Sequence, residues 1–263
     1  MASTLESLLA SPYTLYITSL TSFLLARAIN SHVKKNGPIA FAPTVIKYNS
    51  NIYAIFSFFL CMGIAASIWD ELSAASKPSL RTLICSSSPS EFDKKLRYIF
   101  HASKLYKYVD IFNVLATGGV VNAHFAIHHF TVSVLRLLSL ESVVTTVLII
   151  SQTMYLTYSR VLLYPAGWKI FAGLNTMHHA IMYAFFGGVS IFSDILPWTG
   201  TLQLVAGILG ELYLIRDVWS GSRECGSMDS LWANWLALGL LSTYFVLFMG
   251  DLRARGEKAG KKE

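Results

Sequence analysis

Ile52-Tyr-Ala-Ile-Phe-Ser-Phe-Phe-Leu-Cys-Met-Gly-Ile-Ala-Ala-Ser-Ile-Trp69 runs eighteen residues without a charge. A helix rises ~1.5 Å per residue, so such a run reaches across most of a ~30 Å hydrocarbon core. Predominantly apolar runs recur at Tyr13–Ile29, Leu96–Thr117, Val120–Tyr164, Trp168–Phe192, Gly200–Trp219 and Leu231–Met249. The run Val120–Tyr164 is far too long for one span.

The bulk composition agrees. Of 263 residues, 54% are hydrophobic and 14% charged, with mean hydropathy +0.50. A soluble domain carries roughly a quarter charged residues. The expected fold is therefore all-α: one polytopic membrane domain, residues 1–263, of about seven transmembrane helices. The first run lacks a basic flank and a cleavage site, so it reads as a retained helix rather than a signal peptide.

The net charge of +6 does not point to nucleic acid. The basic residues sit in short loops and in the tail rather than in one stripe with interleaved aromatics. Lys34 and Lys35 follow the first run, and Arg253, Arg255, Lys258, Lys261 and Lys262 follow the last. The positive-inside rule places both on the cytosolic side. That requires an odd number of helices, with the N-terminus outside. Cys85 and Cys225 then fall in loops on the non-cytosolic side, where they either pair as a disulfide or remain two loop thiols. Cys61, inside the second run, reads as a small core residue.

Ionisable side chains at bilayer depth are costly and by default functional. Five of the seven histidines form two clusters inside apolar runs. In His124-Phe-Ala-Ile-His128-His129, His124 and His128 are one helical turn apart, and His129 points ~100° further round. In Asn175-Thr-Met-His178-His179-Ala-Ile-Met-Tyr183, the residues Asn175, His179, Met182 and Tyr183 share one broad face. Asn175 is then placed to hold a ring nitrogen of His179. His178 lies off that face and is the weaker candidate. Upstream, Lys104 and Asp110 lie in or near the third run. Either they snorkel to an interface, or Lys104 meets an anionic substrate group.

These elements, in this order, resemble the ELO family, the very-long-chain fatty acid elongases of the endoplasmic reticulum. That family carries a Lys-x-x-Glu-x-x-Asp box, a His-x-x-His-His box, an Asn-x-x-x-His-x-x-Met-Tyr box and a Thr-x-x-Gln-x-x-Gln box. Lys104 and Asp110 fit the first, His128 and His129 the second. Asn175, His179, Met182 and Tyr183 fit the third, and Gln203 resembles the fourth. The resemblance covers roughly residues 50–250. Three positions depart from it: Lys107 stands where the family has Glu, His124 is one residue too far from the doublet, and Ala206 replaces the second Gln.

The resemblance implies condensation of a long-chain acyl-CoA with malonyl-CoA to 3-ketoacyl-CoA, CoA and CO2. His128 is then the nucleophile, with His129 as the alternative. His179 acts as acid/base or oxyanion donor, and the helices enclose an acyl-chain tunnel. It also implies residence in the endoplasmic reticulum membrane with a lumenal N-terminus and a cytosolic C-terminus. Membrane lipids and other enzymes of the elongation cycle are the implied partners, and no metal or cofactor is required. Two rivals are a di-iron desaturase or hydroxylase and a seven-helix transporter. The first needs more imidazole ligands than the five clustered ones supply. The second would use the His and Lys/Asp residues as a proton relay, yet the chain has no matched pair of broken half-helices. A degenerate, inactive relative of the elongases is a further option.

The family spacing also marks residues 132–152. In the family about fifteen residues separate the His doublet from the turn before the third box, according to the resemblance. Here 36 separate His129 from Pro165. Removing the 21 residues Val132–Gln152 restores fifteen and shortens Val120–Tyr164 to one span. The segment begins Val-Ser and ends in Gln, which splice-junction codons encode. It reads as a retained intron, with a genuine insertion as the alternative.

Overall fold

The computed structural model describes residues 4–85, 90–119, 152–221, 225 and 227–260. His124, His128, His129 and all but the last residue of 132–152 lie outside these. The described residues are helical, with no strand among them.

Each helix begins or ends for a local reason. Pro12 opens α2 (Pro12–Asn36) after α1 (Thr4–Leu9), and Gly37, at φ 83°, ends it. Proline at a helix start removes an N–H that has no intrahelical acceptor there, and glycine adopts the positive φ without a Cβ clash. Pro43 lies in the first turn of α3 (Ala42–Ala74), and Ser79 caps the short α4 (Leu80–Ile84). Ser90 accepts from the Asp93 N–H at the start of α5 (Glu91–Tyr106).

The run Leu96–Thr117 is not one helix. It divides at Lys107 into α5 and α6 (Tyr108–Ala116). No proline or glycine causes the break. Lys107 N–H bonds to Lys104 and Asp110 N–H to Lys107, each only three residues back, a 3₁₀-type tightening. Helix α7 (Gln152–Thr157) continues into a π-helical turn, Tyr158–Leu163. Gly167 in the left-handed region then starts α8 (Trp168–Phe186). Helix α9 (Leu196–Trp219) and α10 (Leu231–Gly260) complete the chain.

Among the described residues three helices are long and apolar enough to cross a membrane: Ala42–Ala74, Leu196–Trp219 and, with the turn before α10, Met228–Ala254. The side-chain distribution suits lipid. Ile52, Phe58, Phe59 and Trp69 of α3 are exposed, while Lys104, Arg160, Asn175, His179 and Glu211 are buried. An apolar exterior over a polar interior is expected where lipid is the solvent.

Helix α8 packs chiefly on α3 and on α9, which in turn packs on α10; α2 lies along α6. The described connections sort to two ends. At one end Gly167 N–H bonds to the Ile84 carbonyl, and Cys85 and Cys225 form a disulfide spanning 140 residues. At the other, Ile39 N–H bonds to the Ala116 carbonyl, and Gly200 meets the Phe248 ring. The Lys34–Lys35 segment and the end of α10 that leads to Arg253 therefore share the second end.

Candidate functional site

Lys104, Lys107 and Asp110 recur every three residues where α5 turns into α6, and each meets a different residue of α8. Lys104 and Lys107 are only 2% and 3% exposed, so Lys104 is enclosed by protein, while Asp110 is half-buried. The Lys104 ammonium donates to Asn175 Oδ1 at 2.5 Å and stands 4.3 Å over the Phe100 ring. Asn175 Nδ2 donates onward to Gln203 Oε1 at 3.0 Å. One amide thus links α5, α8 and α9.

The expected Asn175–His179 bond is replaced by this link. Lys107 Nζ reaches His179 instead, 2.5 Å from Nε2 and 3.2 Å from Nδ1. One turn on, the Tyr183 hydroxyl donates to the Asp110 carboxylate. Tyr183 also packs against Tyr53 of α3, with ring centroids 4.5 Å apart. Tyr53 stacks on Tyr106 at 5.5 Å and donates to the Ser103 carbonyl at 3.0 Å. Aromatic packing on one side and paired charges on the other hold these side chains in single positions.

Six residues marked in the sequence therefore meet in one cluster, all buried except the half-buried Asp110: Lys104, Asp110, Asn175, His179, Tyr183 and Gln203. Met182 does not join the polar network; it packs against the Tyr53–Ala54–Tyr183 core. His178 is buried beside His179, with ring centroids 5.7 Å apart, and its Nδ1 lies 2.9 Å from Thr199 Oγ1. Sequence reasoning marked Lys107 only as a departure from the family box and passed over Tyr53 and Thr199. For Lys107 a signal existed in its three-residue spacing from both Lys104 and Asp110. For Tyr53 and Thr199 there was none, because neither belongs to a charged or histidine motif.

A cavity of about 370 Å³ lies between α8 and α9, walled by Phe171, Gly207, Leu214 and Leu241 among others. Phe171 is one turn from Asn175, and Gly207 one turn from Gln203, so the cavity ends about one helical turn, ~5 Å, short of the polar cluster. Arg160 and Glu211 stand at its wall. They form a buried ion pair at 2.7 Å, and Asn234 Nδ2 donates to the other Glu211 oxygen at 2.7 Å. At the disulfide end, Lys169 bridges Glu71 at 2.7 Å and Asp93 at 3.0 Å. Burial raises the Asp93 pKa, but the Ser67 hydroxyl and the Lys169 ammonium outweigh it and hold the carboxyl below its usual range.

Among the described residues no group of three or more His, Cys, Asp or Glu converges as metal ligands. What the cluster can do is donate and accept hydrogen bonds: two lysine side chains, a carboxylate, an imidazole, a phenol and two amides meet between α5, α6, α8 and α9. The molecule these features define is an all-helical membrane protein with a buried polar site. No family model, curated protein or solved structure matches the chain.

Proposed function

We propose that this chain is a fatty acid elongase of the ELO type, which condenses a long-chain acyl-CoA with malonyl-CoA. The observation that carries the reading is the meeting of Lys104, Asp110, Asn175, His179, Tyr183 and Gln203 in one cluster. They come from three separate sequence boxes, and nothing in the local sequence requires those boxes to meet. The apolar cavity that begins one turn from Asn175 and Gln203 supports an acyl-chain tunnel beside the polar site.

In the proposed chemistry His128 attacks the acyl-CoA carbonyl. A bond forms from imidazole nitrogen to the acyl carbon, and the carbon–sulfur bond breaks. The imidazole proton leaves with the CoA thiolate as free thiol. Malonyl-CoA then loses CO2, and the electron pair of that carbon–carbon bond attacks the acyl-imidazole. The product is 3-ketoacyl-CoA, and the departing imidazolate takes up one proton from water, which regenerates His128. Lys104 and Lys107 bring positive charge to substrates that are anionic at both the malonyl carboxylate and the CoA phosphates. His179 donates to the oxygen on which charge develops.

Seven transmembrane helices, a lumenal N-terminus and a cytosolic C-terminus complete the proposal, with residence in the endoplasmic reticulum membrane. The clustering of the two basic segments at one end of the bundle, opposite Cys85 and Cys225, supports that topology. The polar cluster leans toward the basic end, where acyl-CoA and malonyl-CoA are made available.

Membranes containing the chain are expected to form 3-ketoacyl-CoA from a panel of acyl-CoAs, in a malonyl-CoA-dependent manner. His128→Ala should abolish the product. Absence of product from correctly inserted protein across the panel overturns the reading, and stoichiometric iron in the purified protein would redirect it to the di-iron class.

A further inference from the structure

Helices α8 and α9 run antiparallel, and three contacts between them fall at regular steps. A Cβ added at Gly207 would stand 3.7 Å from the Phe171 ring, Asn175 Nδ2 donates to Gln203 Oε1 at 3.0 Å, and His178 Nδ1 lies 2.9 Å from Thr199 Oγ1. The first of these contacts belongs to the wall of the apolar cavity. His178 lies seven residues beyond Phe171, roughly 10 Å along the helix. The seam that leaves the cavity therefore passes Asn175 and Gln203 and arrives at His178. Round the helix, His178 is about 60° from Asn175 on one side and His179 about 40° on the other. The histidine doublet thus splits, His179 toward Lys107 and His178 toward α9.

The Thr199 hydroxyl has a single hydrogen, and it donates to the Leu196 carbonyl at 3.2 Å. Its contact with His178 is a hydrogen bond at the same time only if the hydroxyl oxygen accepts there, from an Nδ1–H. A neutral ring with its proton on Nδ1 leaves Nε2 as a bare acceptor. Among the described residues no side chain or carbonyl pairs with that nitrogen. Gly200 makes room for the ring, since a Cβ there would stand 3.3 Å from His178 Cε1.

We infer that His178 is a further catalytic residue, whose Nε2 carries a proton between the reacting groups, and that Thr199 is its positioning residue. This role rests on the condensing reaction proposed above and supplies the proton's route through it. As the attacking imidazole bonds to the acyl carbon, its N–H bond breaks and the proton goes to Nε2 of His178. The carbon–sulfur bond breaks with its electron pair on sulfur. The proton then passes from Nε2 to that thiolate, which leaves as free thiol. His178 ends as it began, neutral and with Nδ1–H.

The test uses the full chain in detergent micelles with ¹⁵N-labelled histidine. The His178 ring signals are those absent from His178→Gln. The nitrogen shifts distinguish the two tautomers without any assay of activity. Wild type and Thr199→Ser should show Nδ1–H with Nε2 bare, and Thr199→Val should shift to the Nε2–H form that free histidine prefers. Nε2–H in the wild type overturns the inference whether or not any variant folds, and Nδ1–H persisting in Thr199→Val overturns the part given to Thr199. In the condensation assay, His178→Ala should lower kcat by about 10²–10⁴-fold with KM for acyl-CoA nearly unchanged. Imidazole added to the buffer should restore part of that loss, because a small base can take the place of the missing ring; a ring needed only for packing would not be replaced in this way. An unchanged kcat in His178→Ala, or a loss that imidazole leaves untouched, overturns the proton-carrying role. The Nδ1–H form in a wild type that turns over none of the acyl-CoAs supports the bare Nε2 and counts against the condensing reaction alone.

Discussion

Lys104 Nζ lies 2.5 Å from Oδ1 of Asn175, a hydrogen bond across 71 residues that ties α5 to α8. Because Asn175 also donates to Gln203, one side chain satisfies a buried ammonium and a buried amide together. Asn175→Ala leaves both without that partner. A buried polar group so orphaned costs about 1–3 kcal/mol. The variant should unfold at lower temperature in detergent, whereas Asn175→Asp, which still accepts from Lys104, should lose less. Equal unfolding temperatures for Asn175→Ala and wild type would remove the bridging role.

The Cys85–Cys225 bond joins the loop after α4 to the loop after α9. Non-reducing electrophoresis should show a faster band that slows on reduction. Cys61→Ala should keep the shift and Cys85→Ala should lose it. Loss of the bond is expected to cost about 2–5 kcal/mol of stability. A mobility unaffected by reductant would show that the two thiols are not paired.

Arg160 and Glu211 are both buried, and Glu211 holds Arg160 with one oxygen and Asn234 with the other. Removing one charge strands the other. Glu211→Leu should therefore destabilise by about 3–5 kcal/mol, and the double variant Arg160→Met with Glu211→Leu should recover much of that loss. Additive losses in the double variant would show that the pair is not coupled.

Asp93 is the group outside the spans whose titration should register in stability. Its folded pKa is below its unfolded value, which lies near 3.9. The stabilisation is then fully present above the unfolded value and is lost as pH falls through the folded one. Thermal unfolding should be insensitive to Asp93 near neutrality and weaken in the acid range below about pH 4. In Asp93→Asn that acid-range component should disappear. An identical pH profile in the variant would place the titrating group elsewhere.

Residues 132–152 interrupt the spacing between the His doublet and Pro165. Sequencing of the mature transcript should yield reads that join the codons of Thr131 and Thr153. Deletion of 132–152 should retain or raise condensing activity. Uniform inclusion of the segment in mature transcripts would make it a true part of the protein.

Much of the helical layout was legible. The run Tyr13–Ile29 lies within α2, Ile52–Trp69 within α3, and Gly200–Trp219 within α9, because a predominantly apolar run of this length is helical wherever lipid denies the backbone other partners. The break at Lys107 was not legible. It carries no proline or glycine, and the local tightening accompanies buried contacts to other helices. The face shared by Asn175, His179 and Tyr183 was also legible, since helical periodicity alone defines it. The partner of Asn175 was not: the sequence suggested His179, its neighbour one turn on, and the structure supplies Lys104 and Gln203.

The sequence by itself determined that this is a helical membrane protein with ionisable side chains at bilayer depth. Hydrocarbon thickness and the cost of unpaired backbone groups act on composition and length, which are properties of a single chain segment. Only the tertiary structure decided which of those side chains meet. Lys107 reaches His179, Lys104 reaches Asn175 and Asp110 reaches Tyr183 because of how α5 and α6 are rotated and crossed against α8. Periodicity sets the angle of a residue on its own helix. The rotation of one helix against another depends on packing across the whole bundle, and no local stretch of sequence contains it.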